Sequence, residues 1–251
     1  EKAPASISSY DLNAIEAGVA LAEALADAGV AEDAGVGAAG VAAGTSAGAE
    51  VIALSVGGGW IDDSKLKKNV LSRGPDSLVL VADDSLRELD THATALALKA
   101  ALASLGDFDL VLCGEGSADI YAQQVGIQLG ALLELPVLNC VNHLQLRDGK
   151  LLVERTLEDE VQSLEVPLPA VLSLTSDLNK PRIAGMKQIL AAGKKPSRVL
   201  SAADIGFVPL STTEVLSTLA PVEAERSRQI IEGDSDAEIA AFAKALAEKL
   251  G

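Results

Sequence analysis

From residue 51 onward the chain alternates short apolar runs with longer segments whose apolar residues recur every three or four positions. The runs are VIALSV (51–56), SLVLVA (77–82) and DLVLC (109–113). After them come DDSKLKKNVLS, which follows Gly57-Gly58-Gly59, then TALALKAALASL and YAQQVGIQLGALLEL. Runs of this length predict strands, and a 3.6-residue period predicts helices. Gly74-Pro75 stops the first of these helices. Strands that are apolar along their whole length, alternating with helices, predict a parallel sheet covered on both faces. Earlier in the chain, residues 11–28 place Leu12, Ile15, Val19 and Ala22 on one face, which predicts an amphipathic helix with Asp11 as its N-cap. Residues 29–50 are rich in Gly and Ala without a sustained period and predict a flexible surface insertion.

The rhythm changes after Pro136. LQLRDGKLLVERT holds Asp148-Gly149 between two strand-like runs, a hairpin signal, and SLEVPLPAVLSLTS continues in the same manner. An antiparallel section is therefore expected to extend the sheet. After Pro196 the sequence reads as irregular to about Glu232, and residues 236–250 read as a closing amphipathic helix. The expected class is α/β, a mostly parallel sheet with an antiparallel extension. Residues 1–200 form the α/β domain and residues 201–251 a C-terminal arm.

Composition narrows the function. Aromatics are 2% of the 251 residues, so the base-stacking platforms of nucleic-acid binders are missing. The formal charge of −16 repels DNA and anionic lipid over most of the surface. Cys113 and Cys140 lack CxxC spacing and read as buried thiols of a reducing compartment. No apolar run reaches 18 residues and no signal peptide is read ahead of Glu1, so a cytoplasmic location is expected. The chain opens without an initiator Met, and a first strand is expected ahead of it.

The loop from Gly114 to Gly126, GEGSADIYAQQVG, lies at the carboxyl end of a parallel strand, where ligands of such sheets sit. Between Ala100 and Leu146 there is no Lys or Arg. The free N–H groups of a helix start can hold a phosphate without a cation, each bond to a charged group contributing about 1.5–3 kcal/mol. GxxxxGK[ST] is absent, so the loop suits a nucleotide that stays intact. The alternative is a plain turn, with Gly114 and Gly116 bending the chain and Asp119 capping the helix. Gly57-Gly58-Gly59 ends another strand with the same polarity, and Tyr10 and Asp11 offer a third wall. His92 sits among helix residues beside the cap candidate Thr91, and His143 lies in a strand-like run with no Asp or Cys at a telling distance. Without GxSxG or HExxH, any chemistry belongs to a cofactor, and no metal site is expected.

Residues 177–198, DLNKPRIAGMKQILAAGKKPSR, invert the charge of the chain. Six basic residues (Lys180, Arg182, Lys187, Lys194, Lys195 and Arg198) face one acid, Asp177. Ile183, Met186, Ile189 and Leu190 read as one face of a short helix. That face either packs inward or docks an acidic partner.

SDLNKPRIAGMKQILAAGKK, with its LN-x-PR-x-A pattern, and CGEGSADIYAQQVG, with G-x-x-x-x-D followed by Gln and Gly, resemble the electron-transfer flavoprotein beta subunit over nearly the whole chain. SSYDLNAIEA, VLSRGPDSL and VERTLEDE are most similar to its Fix and carnitine-pathway branch. The resemblance implies a Rossmann-like sheet of the adenine nucleotide alpha hydrolase type. It also implies a heterodimer with an alpha subunit that carries the electron-transferring FAD, with residues 201–251 reaching that subunit. The crevice of this chain would hold AMP, or a second FAD in electron-bifurcating members. Ala122-Gln123 ahead of Gln124 is similar to the bifurcating members and favours FAD. By position, the nucleotide would meet Ser9, Tyr10, Asp11, Val56, Gly57, Gly114, Ser117, Ala118, Asp119, Gln123, Gln124, Val125 and Gly126. Lys180, Pro181, Arg182, Ile183, Met186 and Lys187 would dock an acyl-CoA-type dehydrogenase or a quinone-reducing partner, with Met186 as the inserted side chain. Val125 stands where many relatives carry Thr, and the family's opening strand and K-x-V-P turn have no counterpart from Glu1 onward. A different class remains open, a stand-alone adenine-nucleotide-binding regulatory module of the universal-stress-protein type, homodimeric and colourless.

Overall fold

The computed structural model describes residues 6–29, 49–117, 120–147, 150–210, 213, 214, 216, 217, 219, 220, 222 and 228–250. Its elements in chain order are α1 (Ser9–Gly29), β1 (Ile52–Gly57), α2 (Ser64–Leu71), β2 (Ser77–Ala82), α3 (Thr91–Leu105), β3 (Leu110–Gly114) and α4 (Val125–Leu133). They continue with β4 (Val137–Arg147), β5 (Lys150–Thr156), β6 (Val161–Val166), β7 (Ala170–Leu174), α5 (Met186–Ala192), β8 (Ser197–Leu200) and α6 (Asp236–Leu250). The chain divides into a body, Glu1–Thr213, and a tail, Glu214–Gly251, which contains α6.

The fold class is α/β. The body has two sheets, a parallel one in the order β1-β2-β8 and a mixed one in the order β3-β7-β4-β5-β6. Within the second, β7 runs parallel to both β3 and β4, and β5 and β6 form the expected antiparallel extension. Arg147 pairs with Lys150, which leaves the hairpin residues 148 and 149 between them, outside the described residues. Alternation along β3 shows how both faces are covered. Leu110 and Leu112 pack with Ala14 and Ala17 of α1, whereas Val111 and Cys113 pack with Ala95 and Leu102 of α3 and Leu129 of α4. Every residue of β7 is buried, as a central parallel strand requires.

Several local expectations change. The helix expected from Tyr121 begins at Val125, because Tyr121 and Gln123 have φ of 54° and 55°, which no α-helix admits. Asp11 lies inside the first turn of α1 and is not its cap. Asp90, not Thr91, caps α3, accepting from the Ala93 N–H at 2.7 Å. Within the stretch read as irregular, β8 pairs with β2, and Ala202 and Ile205 are buried in the body. Ile183 precedes α5 and is not part of that helix.

Helix α4 lies close against the second sheet because two glycines one turn apart face it. A Cβ on Gly126 would meet the Cβ atoms of Cys113 and Ser173 at 3.4 Å, and one on Gly130 would lie 2.5 Å from Val137 Cβ. The second distance admits no methyl group without a shift of backbone. Gly130→Ala is therefore expected to lower the free energy of unfolding by about 1–3 kcal/mol through overpacking, read as a lower urea midpoint. Gly126→Ala, whose contact is ordinary, should cost less.

Candidate functional site

A hollow of about 1430 Å³ runs between β1 and β3 and opens at their carboxyl ends. Gly57 and Gly58 form one wall at the mouth, the start of α1 another, and the loop that follows β3 the third. The close approach of α1 depends on Gly114, where a Cβ would lie 2.7 Å from the backbone carbon of Tyr10 and 2.8 Å from Asp11 Oδ1. Only a residue without a side chain lets the helix start meet the strand end here.

The loop between β3 and α4 is held open by strained backbone. Tyr121 and Gln123 adopt left-handed conformations that cost on the order of 1 kcal/mol or more each and need surrounding contacts to hold them. Those contacts are present. The Tyr121 ring sits 5.2 Å, centroid to centroid, from that of Tyr10. A Cβ on Gly116 would press to 2.6 Å from the Tyr121 ring. Gln123 Nε2 donates to the Tyr121 hydroxyl at 3.2 Å and to Glu115 at 3.4 Å. Helix α4 then starts without a side-chain cap, its first internal bond running from the Gln128 N–H to the Gln124 carbonyl at 3.0 Å. The N–H groups of Val125, Gly126 and Ile127 precede that bond and have no carbonyl within the helix. Ser8 Oγ, also on the lining, is buried with no hydrogen-bond partner among the described residues. Such groups could meet a ligand's oxygens.

Among the described residues, no free cation lines the hollow. Lys67 pairs with Asp62 at 2.6 Å, Arg87 with Asp84 at 3.3 Å and Lys150 with Glu165 at 3.0 Å. Burial raises the pKa of Asp11, opposed by a hydrogen bond from the Gly114 N–H. Burial, and then the Asp11 charge, push the Cys113 thiol up to about 12, so it stays protonated and unreactive at neutral pH. His92 Nδ1 lies 3.2 Å from Gln128 Oε1, and His143 stands exposed on β4. Among the described residues no cluster of His, Cys, Asp and Glu could hold a metal.

Of the residues expected at the site, Asp11, Val56, Gly57, Gly114, Ser117, Gln123, Gln124, Val125 and Gly126 line the hollow together. Ser9 and Tyr10 stand at the start of α1 outside the lining, the Tyr10 ring against that of Tyr121, which is also outside it. Ala118 and Asp119 lie outside the described residues. The sequence reading missed Ser8 and Trp60, which also line the hollow. An adenine nucleotide or a flavin fits this donor set, with amides for phosphate, Ser8 for a hydroxyl and apolar walls for a ring system.

The basic segment is fastened to α1. Arg182 donates through Nε and Nη2 to Glu16 at 2.8 and 3.0 Å and through Nη1 and Nη2 to Glu23 at 2.8 and 3.0 Å. Its own carbonyl accepts from Arg73 at 2.7 Å. Asn13 and Asn179 exchange side-chain to carbonyl bonds at 2.9 and 3.0 Å. Lys195 donates to the Gly74 carbonyl at 2.8 Å. Beyond this fastening the apolar face turns outward, with Ile183 95%, Met186 73% and Leu190 69% exposed. Pro181 is half-buried, while Lys180 and Lys187 stand at the surface.

Against known proteins, a family model of the electron transfer flavoprotein domain matches residues 30–205, more than two-thirds of the chain. The match spans every strand of both sheets and the loop from Gly114 to Gly126.

The Arg182 hydrogen bond, and then its charge, hold the Glu23 carboxyl below its ordinary value of 4.5. A lowered carboxylate pKa adds stability above the ordinary value and loses it as pH falls through the folded value. Glu23 is largely exposed, so the contribution is below about 1 kcal/mol. Glu23→Gln should therefore lower stability slightly at pH 7. Urea unfolding as a function of pH should show the two proteins converging below pH 4.5.

Proposed function

The chain belongs to the electron transfer flavoprotein domain family, and from that premise we propose that it is the beta subunit of a heterodimeric electron-transfer flavoprotein of the Fix and carnitine-pathway branch. In this reading it binds FAD or AMP in the hollow at the carboxyl ends of β1 and β3 and pairs with a flavin-bearing alpha subunit. Electrons then pass between an acyl-CoA-type dehydrogenase and another redox partner in the cytoplasm. Among the described residues, no helix is long and apolar enough to cross a membrane.

The observation that carries the reading is the uncapped start of α4 in a hollow whose cations, among the described residues, are all paired. Backbone donors there can bind a phosphate or diphosphate, while among the described residues no lysine on the lining is free to neutralise a phosphoryl group in transfer. A nucleotide in this place is held and not consumed. A bound flavin would supply the redox chemistry. The residues of the chain would do the holding. Val125, Gly126 and Ile127 would donate N–H groups to phosphate, and Ser8 would meet a hydroxyl. Tyr10 and Tyr121 together would shield the loop from water. Val125 has no hydroxyl to add, so the amides of α4 carry the anion alone.

The outward face of α5 supports a docking role. Met186, Ile183 and Leu190 stand exposed beside Lys180 and Lys187, which attract an acidic partner in a chain of net charge −16. Arg182 positions this segment from behind through Glu16 and Glu23. In the tail, Ile239, Phe242, Leu246 and Leu250 form an exposed stripe on α6 that suits burial against the alpha subunit.

Co-expression with a flavin-bearing alpha subunit should give a yellow complex. Two FAD per heterodimer would place FAD in this chain and extend the reading to electron bifurcation, whereas one FAD with one AMP would mean simple transfer. A colourless homodimer that binds adenine nucleotide would overturn the reading in favour of a regulatory module. In the assembled protein, Met186→Ala should weaken the encounter with the dehydrogenase roughly 10- to 100-fold, corresponding to about 1.5–3 kcal/mol of side-chain burial. Nucleotide content should be unchanged, and an unaltered reduction rate would remove the docking role.

A further inference from the structure

Two of the six aromatic side chains of the sequence, Phe108 and Trp60, line the hollow. Phe108 lies ahead of β3, at the end of that strand remote from the mouth, and packs with Leu102 and Leu129. Trp60 stands just past the carboxyl end of β1, at the mouth. It is the one tryptophan of the chain and is 54% exposed. The turn that carries it imposes this exposure. Gly59–Ile61 form a turn of 3₁₀ helix, in which the Ile61 N–H donates to the Gly58 carbonyl at 3.0 Å and the Asp62 N–H to the Gly59 carbonyl at 3.2 Å. Successive side chains of such a turn point about 120° apart. Ile61 is buried with Leu71, Leu78 and Leu80, so its neighbour Trp60 is directed away from that packing. Asp84 holds the turn from the other side, its Oδ1 accepting from the Gly59 N–H at 3.1 Å and from Arg87 Nη2 at 3.3 Å. Gly58 completes the support. A Cβ there would lie 2.9 Å from both Cδ1 and Nε1 of Trp60, so one edge of the indole rests on bare backbone. A lone apolar side chain on an open surface needs no explanation. An aromatic ring fixed by a rigid turn at the rim of a cavity is preorganised to meet a second flat ring.

We propose that Trp60 is the base-stacking residue of this site and takes the adenine ring of the nucleotide whose phosphate meets the start of α4. The assignment rests on the nucleotide reading above and adds the direction of the ligand, with its phosphate at Val125 and Gly126 and its base at the carboxyl end of β1. Three observations carry it. Trp60 lines the hollow from the β1 side, and Val125 and Gly126 line it from the β3 side. The two sides are near enough for one residue of α1 to touch both, since a Cβ on Gly18 would contact Val51 at 3.5 Å and Leu112 at 3.6 Å. A nucleoside monophosphate is long enough to reach from one to the other. The chemistry of the two ends also differs. At the β1 end Arg87, beside Gly58, is neutralised by Asp84, which leaves a ring surface without free positive charge and suits an uncharged base. At the α4 end the helix amides suit the anion, and the nearby rings of Tyr10 and Tyr121 stand outside the lining. Adenine is the ring that FAD and AMP share, so the assignment holds for either ligand.

The test measures binding of AMP, and of ribose 5-phosphate, which lacks the base, by calorimetry on the assembled protein stripped of bound nucleotide. Trp60→Ala should weaken AMP binding about 5- to 100-fold, the range of base–aromatic stacking, and leave ribose 5-phosphate binding and the urea midpoint unchanged. Trp60→Phe keeps a ring and should retain most of the AMP affinity. AMP should also quench the tryptophan emission that Trp60→Ala removes. An AMP affinity unchanged in Trp60→Ala would overturn the assignment and leave the nucleotide reading in place. Equal weakening of AMP and ribose 5-phosphate would overturn it too, because the residue would then shape the phosphate site and not stack on a base. Failure of the unaltered protein to bind AMP would also end the assignment, and failure to bind either AMP or FAD would end the nucleotide reading with it.

Discussion

Backbone donors and acceptors withdrawn from water must find partners, and the architecture of this chain follows from where they do and do not find them. Inside each sheet the ladders answer every strand, and β7 is wholly buried because β3 and β4 pair with it on both sides. Along the hollow between β1 and β3 the start of α4 stands out, where Val125 and Gly126 lie on the lining and their N–H groups have no carbonyl within the helix. Amides at a helix start match an anion, the ligand class that the proposed function assigns to this place.

Charge is divided in the same way. Among the described residues each cation on the lining is paired with a carboxylate, so the mouth presents helix and backbone dipoles beside the carboxylates of Asp11 and Glu115 and no free positive charge. Free positive charge is instead concentrated on the surface of the segment around α5, where Lys180 and Lys187 flank an exposed apolar face. An oriented dipole holds a ligand at short range with little need for salt-sensitive attraction. Surface lysines act over roughly 8–10 Å and suit a transient encounter. The separation matters for an electron carrier of the proposed kind, which must keep its nucleotide while exchanging partners.

Much of this order is legible in the amino-acid pattern. SLVLVA becomes β2 over the same residues, and residues 236–250 become α6, because each carries its periodicity without competing signals. The glycine loop stands out in sequence as a candidate site from its place after a strand and its lack of cations, and the structure places most of it on the lining of the hollow. Its shape was not. Tyr, Ala and Gln are all acceptable in helices, and nothing local announces that Tyr121 and Gln123 turn left-handed; contacts with Tyr10, Gly116 and Glu115 impose it. β8 escaped notice because SRVL is four residues long, mixed in character and follows a proline. Its pairing with β2 is a tertiary fact. Asp90 and Thr91 are both competent caps, and only the backbone decides between them. The six-residue basic excess was visible, but part of it is spent internally, since Arg182 and Lys195 bind α1 and the Gly74 turn.

That internal spending explains how α5 can expose its apolar face at all. A helix of seven residues is too short to be stable alone, and one whose long side chains point to water gains little from burial. Its place must be set from outside. Ala192 anchors its end in the packing around α2 and β2. Ahead of its start, Arg182 and Asn179 tie the chain to α1 through Glu16, Glu23 and Asn13. Both ends are therefore fixed by contacts that do not involve Met186, Ile189 or Leu190. The face is free to meet another surface because the fold does not need it. The same α1 that fastens this segment also begins against Gly114 at the mouth of the hollow. One helix thus joins the outward-facing segment to the wall of the candidate site.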